Sequence, residues 1–147
     1  MAESEKHVVV IGAGPGGYPA AFHAADLGMK VTLIDPEENP GGVCLYRGCI
    51  PSKALLHAVK MLDEARDAGR YGLEFSDLKL NPDKLREFKE SVVKKLTGGV
   101  GQLCKQRRIE YLRGRAAFED ANTLAVDLHD GRSEEHTSEL QSLLIIS

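Results

Sequence analysis

Residues 7–35 read HVVVIGAGPGGYPAAFHAADLGMKVTLID, and the fold turns on how this stretch is divided. From His7 to Ile11 the chain is apolar and rich in β-branched residues, then stops at a cluster of glycines. Such a run, without polar alternation, is the pattern of a strand covered on both faces, as in a parallel sheet. Pro15 to Leu27 is Ala-rich, with Tyr18, Ala21, Phe22 and Ala25 on one helical face, and ends at Gly28, suited to a left-handed cap. Pro19 lies close enough to the helix start for its missing amide hydrogen to be tolerated. KVTLID, residues 30–35, is a second strand. Strand, helix and strand at this spacing form a βαβ unit that closes right-handed, so the expected fold is α/β with a doubly wound parallel sheet, a Rossmann-like nucleotide-binding domain.

The turn inside that unit is Gly12-Ala13-Gly14-Pro15-Gly16-Gly17. In a dinucleotide fingerprint the first glycine permits the tight turn, the second lets a pyrophosphate touch backbone, and the third lets helix pack on strand. The phosphates then meet the free amides and positive dipole end of the helix. Asp35, at the end of the second strand, is placed to accept hydrogen bonds from ribose hydroxyls. The bland alternative is a glycine-rich turn that binds nothing, with Asp35 a solvated strand-end residue. The fingerprint does not say whether the nucleotide is a nicotinamide or a flavin one.

Bulk properties narrow the function classes. The 147 residues are 42% hydrophobic and 28% charged, with a formal charge of −3. That is an ordinary globular composition, and interspersed charge gives no footprint for nucleic acid or an anionic membrane. The leader MAESEK is acidic and polar, unlike a signal peptide or a spanning helix, so a cytoplasmic, reducing location is expected.

In that setting the segment GGVCLYRGCIPSK, residues 41–53, raises four readings for Cys44 and Cys49: a structural staple, a metal half-site, a buried pair, or a working disulfide. Three cysteines in a reducing compartment disfavour the staple. Zinc needs two more ligands, and His57, Cys104 and scattered histidines are all that is on offer. A disulfide needs an electron partner, and a flavin can take thiolate electrons and pass them on as hydride, which favours FAD. Cys49 precedes Ile50 and Pro51, a residue suited to the first helical position, with Lys53 one turn in; both the dipole and the lysine should lower the pKa of its thiol. Cys104 reads as a small buried hydrophobe and His57 as a surface or packing residue.

The same residues carry a resemblance. GGVCLYRGCIPSK is similar to the redox disulfide signature of the class I pyridine nucleotide-disulfide oxidoreductases. The continuation ALLH, with KLTGGV and GRAAFEDANTLAV downstream, resembles the dihydrolipoamide dehydrogenase branch of that family, over Val8 to Asp130. The resemblance implies that Cys44 is the interchange thiol that meets a dithiol substrate and that Cys49 faces the flavin, with Lys53 beside the reactive ring edge. It also implies that Gly12, Ala13, Gly14, Pro15, Gly16 and Gly17 hold the FAD pyrophosphate, and that Asp35 holds the ribose where the family more often has Glu. Gly41, Gly42 and Val43 would line the cofactor, and Gly114, Arg115 and Ala116 would lie by the adenine. Tyr46 and Arg47 occupy variable positions and receive no role.

Beyond the cysteines, Pro51 to Ala68 reads as a helix with Leu55, Leu56, Val59, Leu62 and Ala65 on its buried face, closed by Gly69. A second helix begins near NPDK with a stripe of Leu85, Phe88, Val92, Leu96, Val100 and Leu103, and Gly98 and Gly99 suggest a bend or a close approach. IEYLRGRAAF and TLAVDLHDG read as strands, Leu124, Val126 and Leu128 pointing inward, and Asp130-Gly131 signals a hairpin. No return strand is expected after it. Arg132–Ser147 lacks strand alternation over its polar part and resembles the translation of a sequencing-library adapter, the alternative being a disordered polar tail. The expected organisation is therefore 1–131, the N-terminal part of an FAD-binding domain, and 132–147, a non-native tail.

The family implies parts that this sequence does not contain: a second glycine fingerprint for NAD, an "ATG" segment, and an interface domain with a His-Glu pair. The first expectation is an N-terminal piece of a flavoenzyme, inactive alone. The complete homodimer would oxidise dihydrolipoamide, carried by a 2-oxo acid dehydrogenase complex or the glycine cleavage system, through FAD to NAD. Glutathione reductase-like and mercuric reductase-like enzymes share the motif. A non-catalytic nucleotide-binding or thiol module is the alternative from another class.

Overall fold

The structure, a computed structural model, describes residues 6–77, 79–120, 123–129, 133–137 and 142–145. Its first unit is the expected one: β1 (His7–Ile11), α1 (Gly17–Asp26) and β2 (Lys30–Asp35). β1 and β2 run parallel, Val8 opposite Val31 and Ile11 opposite Ile34. Pro19 falls in the first turn of α1, and Gly28 takes the left-handed conformation, φ 82°, that ends the turn after it.

Two helices follow the redox segment's first turn. α2 (Gly42–Tyr46) carries Cys44, and α3 (Cys49–Asp67) begins at Cys49 itself, with Gly48 as its N-cap. The helix therefore starts two residues earlier than Pro51 suggested, and Pro51 is its third residue. That position still lies among the amides with no carbonyl to reach inside the helix, so the ring is accommodated. A 3₁₀ turn, Ala68–Tyr71, extends α3, and Gly72 at φ 76°, not Gly69, makes the left-handed exit.

α4 (Pro82–Gln106) starts as read from NPDK: the Asn81 side chain accepts from the amides of Asp83 and Lys84. Its buried face differs from the expected stripe. The residues it buries are Thr97, Gly101 and Cys104, while Phe88, Leu96 and Leu103 stay exposed. Small side chains let the helix come close, since a Cβ on Gly101 would lie 2.3 Å from Asn39 Oδ1. Gly98 and Gly99 make no such approach, and α4 runs through them unbroken. On α3, likewise, Pro51 and Ala54 are buried while Leu56 and Val59 are exposed.

β3 (Glu110–Phe118) pairs in parallel with β2 through Arg113, then antiparallel from Gly114 onward with β4 (Thr123–Leu128). Strand alternation divides the core in two. Val8, Val10, Val31 and Leu33 pack with Ala21 of α1 and Cys104 of α4; Val9 and Ile34 pack with Leu124 and Val126 of β4. Helices thus cover one face and the β3–β4 pair the other. The Asp130-Gly131 turn lies outside the described residues, but the expectation that no strand follows it is corrected. β5 (Ser133–Thr137) returns antiparallel to β4, and β6 (Ser142–Ile145) lies parallel to β1, giving the order β5-β4-β3-β2-β1-β6. Ladder bonds join backbone to backbone, so a segment without hydrophobic alternation can still fill a strand slot.

Candidate functional site

The glycine turn is held shut from both sides. A Cβ on Gly17 would sit 1.8 Å from the Gly12 carbonyl oxygen, so only glycine lets α1 meet the turn there. Asp35, 7% exposed, accepts from the Ala13 amide at 2.7 Å and from the Glu37 amide at 3.0 Å. A carboxylate offers about four acceptor positions, so two stay available to a diol. Gly41 donates to the Ala13 carbonyl at 2.8 Å, joining the redox segment to the fingerprint.

Gly14 is the opposite of Gly17, because a Cβ there would meet nothing within 4 Å. The space beyond it is a cavity of about 380 Å³ lined by Gly12, Gly14, Pro15, Gly16, Asp35, Gly42, Val43 and Cys44. A second cavity, about 190 Å³, is lined by Ile11, Gly12, Ile34, Pro36, Gly114, Arg115 and Ala116. The two share Gly12 and flank Asp35. The chain thus brings most of the residues singled out in the sequence to two neighbouring cavities at the C-terminal ends of β1 and β2, which together form the candidate groove. Ala13, Gly17 and Gly41 support the groove from behind. Pro36, adjacent to Asp35, was missed, although its neighbour pointed to it.

Cys44 and Cys49 are both free thiols, Cys44 half-buried and Cys49 exposed. They interact: hydrogen bonding to the Cys49 side chain is the main cause that raises the Cys44 pKa, burial adds to it, and the Cys49 amide and Lys53 oppose it. Cys49 and Lys53, both exposed, are not in the wall of either cavity. His57 is exposed, and Cys104 lies in the core, where burial lifts its thiol to about 11. Among the described residues no His, Cys, Asp and Glu group could hold a metal, and no helix is long and apolar enough to cross a membrane. A larger cavity of about 460 Å³, between Asn39, Tyr46 and Thr97, contains none of the residues predicted from sequence.

The loop from Pro36 to Asn39 is unusually well fastened. From β3, Tyr111 donates to the Glu37 carbonyl at 2.8 Å and Arg113 to that of Pro36 at 3.3 Å. From α2, the Tyr46 hydroxyl accepts from the Asn39 amide at 3.0 Å and donates to its carbonyl at 3.1 Å, while Arg47 pairs with Glu37. Sequence reading gave Tyr46 and Arg47 no role, and no local pattern announces a hydroxyl that reaches back seven residues.

A dihydrolipoyl dehydrogenase of Haemophilus influenzae is 46% identical over 129 residues, covering 88% of this chain and 27% of that relative. One from Staphylococcus aureus is 52% identical over 122 residues, 83% of this chain and 26% of the relative. The chain thus spans about a quarter of the length of these relatives and aligns with their N-terminal part. Among solved structures, LpdA from Mycobacterium tuberculosis superposes with a TM-score of 0.86 at 22% identity, over 95% of this chain and 31% of that one, which establishes the α/β fold. Residues 6–145 match the family described as "Pyridine nucleotide-disulphide oxidoreductase", and the chain belongs to that family.

Proposed function

We propose that this chain is the FAD-binding, dithiol-bearing part of a flavin-dependent dihydrolipoyl dehydrogenase, with residues 1–131 as domain and 132–147 as a segment of foreign origin. The observation that carries the reading is the shared cavity: the fingerprint turn, Asp35 and Cys44 line one space. Gly14 leaves open the room that a pyrophosphate needs, and amides at the start of α1 are there to meet its charge. Asp35 would take the ribose, and Gly114, Arg115 and Ala116 the adenine. When bound, FAD supplies a two-electron acceptor that relays reducing equivalents to NAD.

The chain's own part is thiol exchange. A thiolate of the substrate dithiol would attack the Cys44 sulfur of the disulfide and expel the Cys49 thiolate, and the second substrate thiol would then displace Cys44 to close lipoamide. Oxidising dihydrolipoamide to lipoamide opens the Cys44–Cys49 disulfide, moving two electrons and two protons to the pair. The proposal includes a substrate on a carrier domain, a homodimeric complete enzyme and a cytoplasmic setting, and the similarity to dihydrolipoyl dehydrogenases supports the substrate class.

The test is anaerobic mixing of the oxidised, FAD-loaded chain with dihydrolipoamide and NAD. One equivalent of lipoamide and no NADH is expected, with the exchange lost in Cys44→Ser and Cys49→Ser. A chain that binds no FAD and exchanges no thiols sinks the reading, and cysteine-dependent NADH formation refutes its incompleteness. Preferential exchange with glutathione would move the substrate to the glutathione reductase-like class.

A further inference from the structure

α2 is a helix of five residues, too short to persist without tertiary support. Backbone bonds cross both of its ends, from Leu45 to the Gly41 carbonyl and from Arg47 to the Val43 carbonyl, and Leu45 is its one buried residue. Its far end is separated from Cys49 by Arg47 and Gly48 alone. What fixes that end is the Tyr46 hydroxyl, bonded in both directions to the backbone of Asn39, assisted by the Arg47 to Glu37 ion pair. The anchor on the other side is firm, since Tyr111 and Arg113 hold the same loop to β3.

We propose that Tyr46 is a positioning residue for the Cys44–Cys49 pair, with Arg47 as its auxiliary: fastening the end of α2 to the Asn39 backbone and the Glu37 carboxylate keeps the Cys44 thiol within reach of Cys49. This rests on the redox reading of the two cysteines given above. Closing the disulfide joins the two sulfurs and passes two electrons and two thiol protons to an oxidant, such as oxidised dithiothreitol, which becomes the dithiol. Its equilibrium constant reports how well the sulfurs are presented to each other. A partly buried two-way hydrogen bond contributes enough to shift that constant about two- to tenfold. The Arg47 guanidinium, 62% exposed, contributes less.

The test equilibrates the chain in dithiothreitol buffers of graded oxidised-to-reduced ratio and counts free thiols by alkylation and mass. Tyr46→Phe is expected to lower the equilibrium constant two- to tenfold, and Arg47→Ala to lower it measurably but by no more than about twofold. Tyr111→Phe is the control. It removes one bond from the β3 side while Arg113 still holds the loop, so it should lower the melting temperature while leaving the thiol equilibrium within twofold of wild type. Wild-type equilibrium in a folded Tyr46→Phe chain overturns the proposal. So does an equal shift in Tyr111→Phe, which reduces Tyr46 to a general stabiliser. Should Tyr46→Phe not fold, Arg47→Ala combined with Glu37→Gln must still shift the equilibrium in the same direction, and no shift there overturns it. A wild-type chain that forms no Cys44–Cys49 disulfide at all refutes the redox reading itself, a result distinct from the others.

Discussion

Replacing Gly14 and Gly17 by alanine, one at a time, should separate folding from binding within a single turn. At Gly17 the new Cβ would stand 1.8 Å from the Gly12 carbonyl oxygen, whereas ordinary contact begins at 3.4 Å. The start of α1 must therefore retreat by about 1.6 Å, out of its packing on β1. Overpacking of this kind costs about 3 kcal/mol, and the better helix propensity of alanine offsets at most about 1 kcal/mol. A net loss of about 2 kcal/mol should lower the urea midpoint by about 1 M. At Gly14 nothing lies within 4 Å of the new methyl, so stability should stay within about 0.5 kcal/mol of wild type. That methyl instead meets the cavity lined by Asp35 and Cys44 and, on the proposed function, should weaken FAD or ADP binding about 10- to 100-fold, or about 1.4–2.8 kcal/mol. Urea denaturation and flavin fluorescence titration measure the two quantities on the same samples. Equal destabilisation by both changes, or wild-type affinity in Gly14→Ala, would refute the division of labour argued here.

Asp35→Asn should cost about 1–3 kcal/mol in urea denaturation, because one of the Ala13 and Glu37 amides loses its acceptor. Since Lys53 holds the Cys44 pKa down against Cys49 and burial, Lys53→Ala should slow alkylation of Cys44 by iodoacetamide at pH 8, read by mass spectrometry. Cys104 has a folded pKa of about 11 against an ordinary 9.0, so the unfolded chain loses its thiol proton first. Its stabilising contribution is therefore full below pH 9 and falls away as pH rises towards 11, by on the order of 2 kcal/mol; a Cys104→Ala chain should lose less stability over that window in urea titrations. Sequencing the source gene past the codon for Gly131 should give codons unlike those of Arg132–Ser147, and an unchanged frame would remove the adapter reading.

The βαβ unit was legible because its signals are local: a β-branched run, glycines at fixed spacing, and a helix ended by Gly28. The groove was legible for the same reason, since Gly12 to Gly16 and Asp35 reach it from consecutive segments. The faces of α3 and α4 were not. Hydrophobic spacing picked Leu96 and Leu103, but the partner surface needed small residues, and the contact of Gly101 with Asn39 joins positions 62 apart in sequence. Strand β5 escaped because pairing through the backbone leaves no mark on side-chain pattern. The clasp formed by Tyr46 escaped because its partners are backbone atoms, which every residue possesses.

β3 spends its first half with β2 and its second half with β4, and the change falls at Gly114, where a Cβ would lie 2.5 Å from the Asp127 carbonyl oxygen. The smaller cavity opens at this fork, beside Pro36. Its width is consequently a property of two hydrogen-bond registers, and side-chain replacement leaves the slot in being. Arg115 and Ala116 can drift through evolution, or be redesigned, to change the lining of the slot without removing it. Gly114 is the exception, because any side chain there would push β3 away from Asp127 and reshape the slot itself.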